Sequence, residues 1–313
     1  VNLRVGTRRS RLARTQTGQA CDLLVAGHSE VICELVFLDT TGDQVQDRPL
    51  RESGGKGLFV KELDEALLAG DIDCAVHSLK DVPSELPRGI VLAAVLSRHD
   101  PRDLLLSREG WTPAALPAAA RVGTTSLRRA SQLLACNPQV RIEMLRGNVE
   151  TRLRRIVEGS FDATFLAAAG LGRLGIDVTP LRQVALAATE FVPAPGQGSL
   201  CFTAREGDDS VLGLLSYLDD PASRCAALCE RSLARSLGAS CYLPVGAYAE
   251  VDGDELVLDA VVASEDGQRL LRRSARAPLE RSEALGGEVG QELLDAGARV
   301  FLDEILASLD KSS

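Results

Sequence analysis

Arginine is concentrated in one stretch of this chain. Arg121, Arg128, Arg129, Arg141, Arg146, Arg152, Arg154 and Arg155 fall within 121–155, against only Glu143 and Glu150. A guanidinium is a planar fork suited to bidentate recognition of carboxylate or phosphate. Taken alone, such a cluster is equally a solvated basic face. Asp81, between Lys80 and Val82-Pro83, is the acid/base candidate, with Pro83 biasing the preceding residue toward extended backbone. Its bland alternative is an Asx-turn or an ion pair with Lys80. Cys241 is the cysteine in a polar turn, Gly238-Ala239-Ser240-Cys241-Tyr242-Leu243-Pro244, where a thiol can be exposed and nucleophilic. Of the others, Cys21, Cys33, Cys74, Cys136, Cys201, Cys225 and Cys229, several sit in apolar runs as small hydrophobes do. Cys225 and Cys229 are one helical turn apart, but no nearby Cys or His pair completes a zinc site, and no metal centre is expected.

These groups need elements to place them. In the first hundred residues, strand and helix alternate. A strand with Leu3 and Val5 leads into Gly6-Thr7-Arg8-Arg9-Ser10, then a helix with Leu12, Ala20, Leu23 and Leu24 near one face. Val31 to Leu38 is a strand, Gly54-Gly55-Lys56-Gly57 a loop, and Phe59, Leu63, Ala66 and Leu67 recur at helical spacing before Gly70. Ile72 to Val76 is a strand that delivers His77 to Pro83 at its carboxyl end. The next hundred residues alternate in the same way, with strand 121–123, turn Thr124-Thr125-Ser126, helix 127–135, strand 140–145, turn Arg146-Gly147, then a helix capped by Asn148. Strand–helix–strand at these spacings predicts mostly parallel sheets. Ligands bind beyond the carboxyl ends of such strands, where these polar groups collect. Thr124 to Arg129 lie at a helix N-terminus, which favours an anion. From Asp219 the texture changes to a strong helix, three antiparallel strands with turns at Asp252-Gly253 and Asp266-Gly267, and closing helices, an α+β unit.

Composition bounds the rest. The 313 residues suggest two or three domains; 45% hydrophobic and 25% charged residues are ordinary globular values that exclude disorder and coiled coil. Lys and Arg number 35 against 44 Asp and Glu, a net charge of −9, which argues against non-specific nucleic-acid binding. No apolar run is long enough to span a membrane. Scattered cysteines fit a reducing compartment. Val1 to Ser10 lacks the basic-then-apolar layout of a signal peptide. A cytoplasmic place is therefore expected.

Ordered blocks then make the chain recognisable. Gly6-Thr7-Arg8-Arg9-Ser10, Gly54-Gly55-Lys56-Gly57-Leu58-Phe59, His77-Ser78-Leu79-Lys80-Asp81-Val82-Pro83, Asp100-Pro101-Arg102-Asp103, Gly123-Thr124-Thr125-Ser126-Leu127-Arg128-Arg129, Arg146-Gly147-Asn148-Val149 and Pro195-Gly196-Gln197-Gly198 follow one another. Together they closely resemble the porphobilinogen deaminase (hydroxymethylbilane synthase) family along essentially the whole sequence. The resemblance implies three domains: 1–96 plus 197–214 and 102–190, both like lobes of type II periplasmic binding proteins, and 219–313, a small α+β domain with an antiparallel sheet. It implies a transferase that condenses four porphobilinogens with loss of ammonia, on a dipyrromethane cofactor joined by a thioether to Cys241. Asp81 corresponds to the catalytic aspartate. Arg8, Arg128, Arg129, Arg146, Arg152 and Arg173 correspond to arginines that hold acetate and propionate groups, with Ser10, Lys80, Thr124, Thr125, Ser126 and Gln197 as polar contacts and Phe59 as an aromatic near the cleft.

The chain departs from the family pattern in places. Ala239-Ser240 precede Cys241 where glycine is common, Gly172 stands where a lysine often precedes Arg173, and Leu79 replaces a methionine. A monomer working on a small-molecule substrate, without nucleic acid or membrane, is expected. The competing reading is a non-catalytic, two-lobed anion-binding protein. Neither a P-loop nor a GxGxxG fingerprint supports a nucleotide-dependent enzyme.

Overall fold

A computed structural model describes residues 1–44, 57–239 and 243–310. The chain begins with β1 (Asn2–Arg8), α1 (Arg11–Gly27) and β2 (Ile32–Leu38), then a short α2 (Thr41–Gln44), α3 (Lys61–Ala69), β3 (Cys74–Ser78) and β4 (Ile90–Val95). It crosses into a second layer of β5 (Asp103–Ser107), β6 (Arg121–Gly123), α4 (Leu127–Cys136), β7 (Arg141–Glu143), α5 (Val149–Val157), β8 (Ala163–Ala167), α6 (Ala168–Leu174) and β9 (Arg182–Ala185). It then returns as β10 (Leu200–Arg205) and α7 (Asp209–Leu215).

Two five-stranded sheets result, ordered β2-β1-β3-β10-β4 and β7-β6-β8-β5-β9. They match position for position. In the first, β1 runs parallel to β2 and β3 while β10 is antiparallel to β3 and β4. In the second, β6 runs parallel to β7 and β8 while β5 is antiparallel to β8 and β9. The sheets are thus mixed rather than mostly parallel. The strand–helix–strand rule governs the first three strands of each sheet. The fourth strand arrives directly from the other lobe, so no crossover helix forces it parallel. This is the two-lobed α/β architecture that the resemblance implies.

Helix α1 buries Ala20, Cys21 and Leu24 against Leu3, Val5 and Phe202, and Thr17 on Thr7 through a 2.7 Å hydrogen bond. Leu23, expected on that face, is exposed, because it lies one residue and about 100° from Leu24. The third unit joins α8 (Pro221–Ser236), β11 (Val245–Asp252), β12 (Glu255–Ala263), β13 (Leu270–Pro278), α9 (Ser282–Leu293) and α10 (Arg299–Asp310). Its meander is antiparallel throughout, with Gly253 and Gly267 supplying the positive φ of the two turns. Cys229, Leu233, Leu285 and Val289 from α8 and α9 pack over Leu258 and Ala260. Gly286 allows that approach, since a Cβ there would stand 2.0 Å from the Cys229 carbonyl oxygen.

One carboxylate ties the third unit to both crossings. Glu230, fully buried on α8, accepts from Arg98 Nη1 at 2.7 Å, from the Gly196 amide at 2.6 Å and from the Ala249 amide at 2.7 Å.

Candidate active site

The carboxyl ends of β1 and β3 form one wall. Arg8 is the last residue of β1, and Ser10 caps α1 by accepting the Ala13 amide at 3.2 Å. Lys80 and Asp81 lie in a 3-10 turn directly after β3. Arg8 Nη1 stands 3.6 Å from Asp81 Oδ2, and its guanidinium covers the Phe59 ring at 4.2 Å. This turn is fixed from three sides. The Leu79 amide donates to Ser199 O at 3.0 Å, Gly196 packs so closely that a Cβ would meet Leu79 Cγ at 2.8 Å, and Arg231 of α8 donates to Val82 O and Ser84 O at 3.3 and 3.2 Å. Beneath it, Gln16 Nε2 donates to Ser78 Oγ at 2.9 Å. His77 Nε2 lies 3.0 Å from Thr203 Oγ1, and burial pushes this imidazole down to about 3, so it is neutral.

The second wall comes from the other lobe. Thr124, Thr125 and Ser126 link β6 to α4; Thr124 Oγ1 accepts the Ser126 amide at 3.1 Å and Ser126 Oγ accepts the Arg129 amide at 3.4 Å. Arg146 follows β7, and Asn148 caps α5 by accepting the Thr151 amide at 2.8 Å. Arg152 Nε donates to Gly147 O at 3.0 Å. Burial, then the charges of Arg129 and Arg146, push the Arg152 guanidinium down to about 10. Arg173 on α6 donates through Nη2 to Gly198 O at 2.8 Å, while its buried Nε has no partner, and burial pushes it down to about 10. Arg11 Nη1 meets Glu150 Oε1 at 2.7 Å between the two walls.

Arg128 and Arg129 turn inward. Both are buried on Asp103, at 2.6 and 2.7 Å. Gln197 is buried too, with Nε2 on Pro101 O and Asp103 Oδ1 and with Oε1 accepting from Lys80 Nζ at 3.4 Å. Burial, followed by the Arg129 charge, pushes the Lys80 ammonium down to about 8, while Asp81 and Asp103 pull it up.

The fold therefore gathers Arg8, Phe59, Lys80 and Asp81 on one side. It gathers Arg128, Arg129, Arg146 and Arg152 on the other, with Gln197 between. Ser10, Thr124 and Ser126 make the capping and turn bonds given above. Cys241, and Gly54 to Lys56, lie outside the described residues. Sequence reasoning assigned no role to Asp103, Gln16 or Ser78. Asp103 escaped because it lies outside the arginine-rich stretch, although the block Asp100 to Asp103 already marked it. Gln16 had a signal in its helical position, two turns from Leu24 and Leu23 yet polar. Gly172 has nothing within 4 Å of where a Cβ would stand, and it borders a cavity of about 570 Å³ with His99, Arg102 and Ile176.

Two α/β lobes that gather arginines, a lysine and one carboxylate beside an arginine where they meet define a two-lobed α/β protein with a cationic site. The chain belongs to the porphobilinogen deaminase family. Residues 3–213 match the family profile described as "Porphobilinogen deaminase, dipyromethane cofactor binding domain", and residues 224–295 match "Porphobilinogen deaminase, C-terminal domain". It is 46% identical over 305 residues to a porphobilinogen deaminase of Syntrophobacter fumaroxidans, covering 97% of each chain. It is 47% identical over 303 residues to one of Roseiflexus castenholzii, covering 96% of this chain and 98% of that one. Among solved structures, the periplasmic aliphatic sulphonate binding protein of Escherichia coli matches with a TM-score of 0.43 at 16% identity, over 75% of this chain and 70% of that one.

The residues present fit a dipyrromethane. An anionic, two-ring group needs fixed cations around it, and the buried Arg173, whose Nε has no partner, and the half-buried Arg152 supply positive charge of that kind.

Proposed function

We propose that this chain is a hydroxymethylbilane synthase: it condenses four porphobilinogens head to tail, with loss of ammonia, and releases the linear tetrapyrrole by hydrolysis. The observation that carries this reading is the pairing of Asp81 with Arg8 at 3.6 Å, across from the buried Arg128 and Arg129 and the half-buried Arg146 and Arg152 of the other lobe. Each porphobilinogen brings two carboxylates, so negative charge accumulates as rings are added. Arg8, Arg128, Arg129, Arg146, Arg152 and Arg173 hold those groups as charge-assisted forks. Ser10, Lys80, Thr124, Thr125 and Ser126 line the same path, Gln197 supports Lys80 from behind it, and Phe59 offers a ring face.

Cys241 carries the dipyrromethane, which when bound supplies the pyrrole carbon to which rings are added. Asp81 serves the reaction in two ways. Loss of ammonia leaves positive charge on the substrate's pyrrole nitrogen, and a fixed carboxylate stabilises it. The same carboxylate holds and moves the pyrrole N–H proton. Arg8 orients Asp81. The lobes at 1–96 with 197–214 and at 102–190 provide the walls, and 219–313 provides the attachment loop. We place the protein in the cytoplasm as a monomer acting without nucleic acid. Among the described residues no helix is long and apolar enough to cross a membrane.

Intact mass under denaturing conditions, before and after incubation with porphobilinogen, tests this. The protein is expected to carry a two-ring adduct, to gain further ring masses and to release hydroxymethylbilane. Cys241→Ala is expected to fold and carry no adduct. A wild-type chain that binds carboxylated pyrroles without adduct or turnover would instead be a two-lobed anion receptor.

A further inference from the structure

Asp103 opens β5 immediately after the crossing from the first lobe, and it is fully buried. Its Oδ2 accepts from Arg128 Nη1 at 2.6 Å. Its Oδ1 accepts from Arg129 Nε and Nη2 at 3.0 and 2.7 Å, and from Gln197 Nε2 at 3.0 Å. Arg129 Nη1 is taken up by Phe165 O at 3.2 Å, so the plane of that guanidinium is fixed. Arg128 Nη1 is shared with Val192 O at 2.8 Å. Gln197 gives its amide hydrogens to Asp103 and to Pro101 O, and its Oε1 accepts from Lys80 Nζ at 3.4 Å.

One carboxylate thus holds two cations of the second lobe directly and one cation of the first lobe through an amide. A single negative charge cannot neutralise two guanidinium groups, so the cluster stays net positive. Its role is then geometric. Long cationic side chains lose rotamer freedom when they grip a ligand, and a cluster ordered beforehand avoids that loss at binding. The fully committed donors of Gln197 make it a bridge rather than a ligand contact.

We infer that Asp103 is a positioning residue, which fixes the forks of Arg128 and Arg129 and, through Gln197, the reach of Lys80, so that cations of both lobes stand ready before a carboxylated pyrrole enters. This rests on the proposed reaction for the identity of the carboxylates. Lys80 faces Asp81 and Asp103 as well as Arg128 and Arg129, and all of these charges bear on its titration.

The test uses cofactor-loaded protein and two variants. Gln197→Leu cuts the bridge and leaves both Asp103–arginine pairs in place. Asp103→Asn removes the charge itself. Gln197→Leu is expected to melt cooperatively, to carry the two-ring mass and to raise KM for porphobilinogen about tenfold, the lower end for one charge-assisted hydrogen bond, with kcat little changed. Because the ammonium loses an acceptor, Lys80 is expected to titrate lower in this variant than in the wild type, read by NMR of 13C-labelled lysine. Gln197→Leu combined with Lys80→Gln is expected to bind no worse than Lys80→Gln alone. Asp103→Asn is expected to load cofactor more slowly and to raise KM further. If Asp103→Asn does not fold, Gln197→Leu decides. Unchanged KM and unchanged Lys80 titration in Gln197→Leu, or additive effects in the double variant, would overturn the inference. A wild-type protein that neither carries the adduct nor consumes porphobilinogen would sink the reaction instead, and the Lys80 titration would still report the bridge.

Discussion

At the scale of single residues, Asp81 carries the sharpest prediction. A group that only binds substrate changes KM when removed, whereas one that stabilises developing charge changes kcat. Asp81→Asn keeps size and hydrogen bonding but loses the charge that faces Arg8. Its kcat is expected to fall by at least about 10²-fold, the effect of removing one electrostatic stabiliser. Asp81→Glu keeps the charge but shifts it by roughly 1 Å, which can itself cost about 10². The glutamate variant should therefore be impaired yet faster than the asparagine variant. Single-turnover ring addition measures this, and an asparagine variant as fast as wild type would return Asp81 to a loop ion pair. Asp81 was legible in the sequence because a carboxylate beside a lysine at a strand end is a local signal. The arginine pair was legible only in part. Arg128 and Arg129 read as open forks, and nothing within 121–155 announces that Asp103 lies between them.

At the scale of elements, the caps and the buried strand polars set the walls. Asn148 starts α5 and so places Arg152 one turn later. Asn148→Ala is expected to cost about 1 kcal/mol in urea unfolding and to weaken pyrrole binding as well, because the lost cap frees the first turn. An equally stable variant with unchanged KM would separate the cap from the site. His77 sits inside β3, neutral under the active turn. Its folded value, about 3, lies below the ordinary 6.5, so between these limits the unfolded chain binds the extra proton. Stability from this residue is therefore complete above 6.5 and is lost as pH falls, by up to about 1.4 kcal/mol per pH unit. His77→Asn is expected to flatten that part of the unfolding midpoint against pH. A profile identical to wild type would show that carboxylates elsewhere set the acid limb.

At the scale of the whole molecule, the two crossings and the third unit meet at Glu230. The residue holds Arg98 from the first crossing, Gly196 from the second and Ala249 from β11 with one carboxylate. Glu230→Gln leaves the largely buried Arg98 guanidinium without a counter-charge. Breaking a buried pair this way is expected to destabilise by about 3–5 kcal/mol, measured by urea unfolding. Since Gly196 packs on Leu79 beside Asp81, the same variant should also lower kcat in the protein that remains folded. Full activity at reduced stability would mean that the active turn keeps its place without this tie.

By itself the sequence determined the local pieces: the strand of 3–5, the strand expected at 72–76 that the structure shifts two residues to Cys74–Ser78 and so draws His77 and Ser78 into, the helices after Ser126 and Asn148, the antiparallel meander with its glycine turns, and Asp81 just past a strand end. Each depends on spacing within a few residues, so period and turn chemistry reveal it. The ordered blocks from Gly6 to Gly198 carried the family as well. Only the tertiary structure decided what depends on contacts distant in sequence. The direction of β5 and β10 follows from where the chain crosses between lobes. Leu23 faces solvent because α1 rotates Leu24 onto Leu3 and Val5. The Lys80–Gln197–Asp103 bridge joins residues 117 and 94 positions apart, a juxtaposition no local pattern encodes. Such pairs form because a buried charge must find a partner wherever the fold brings one within reach.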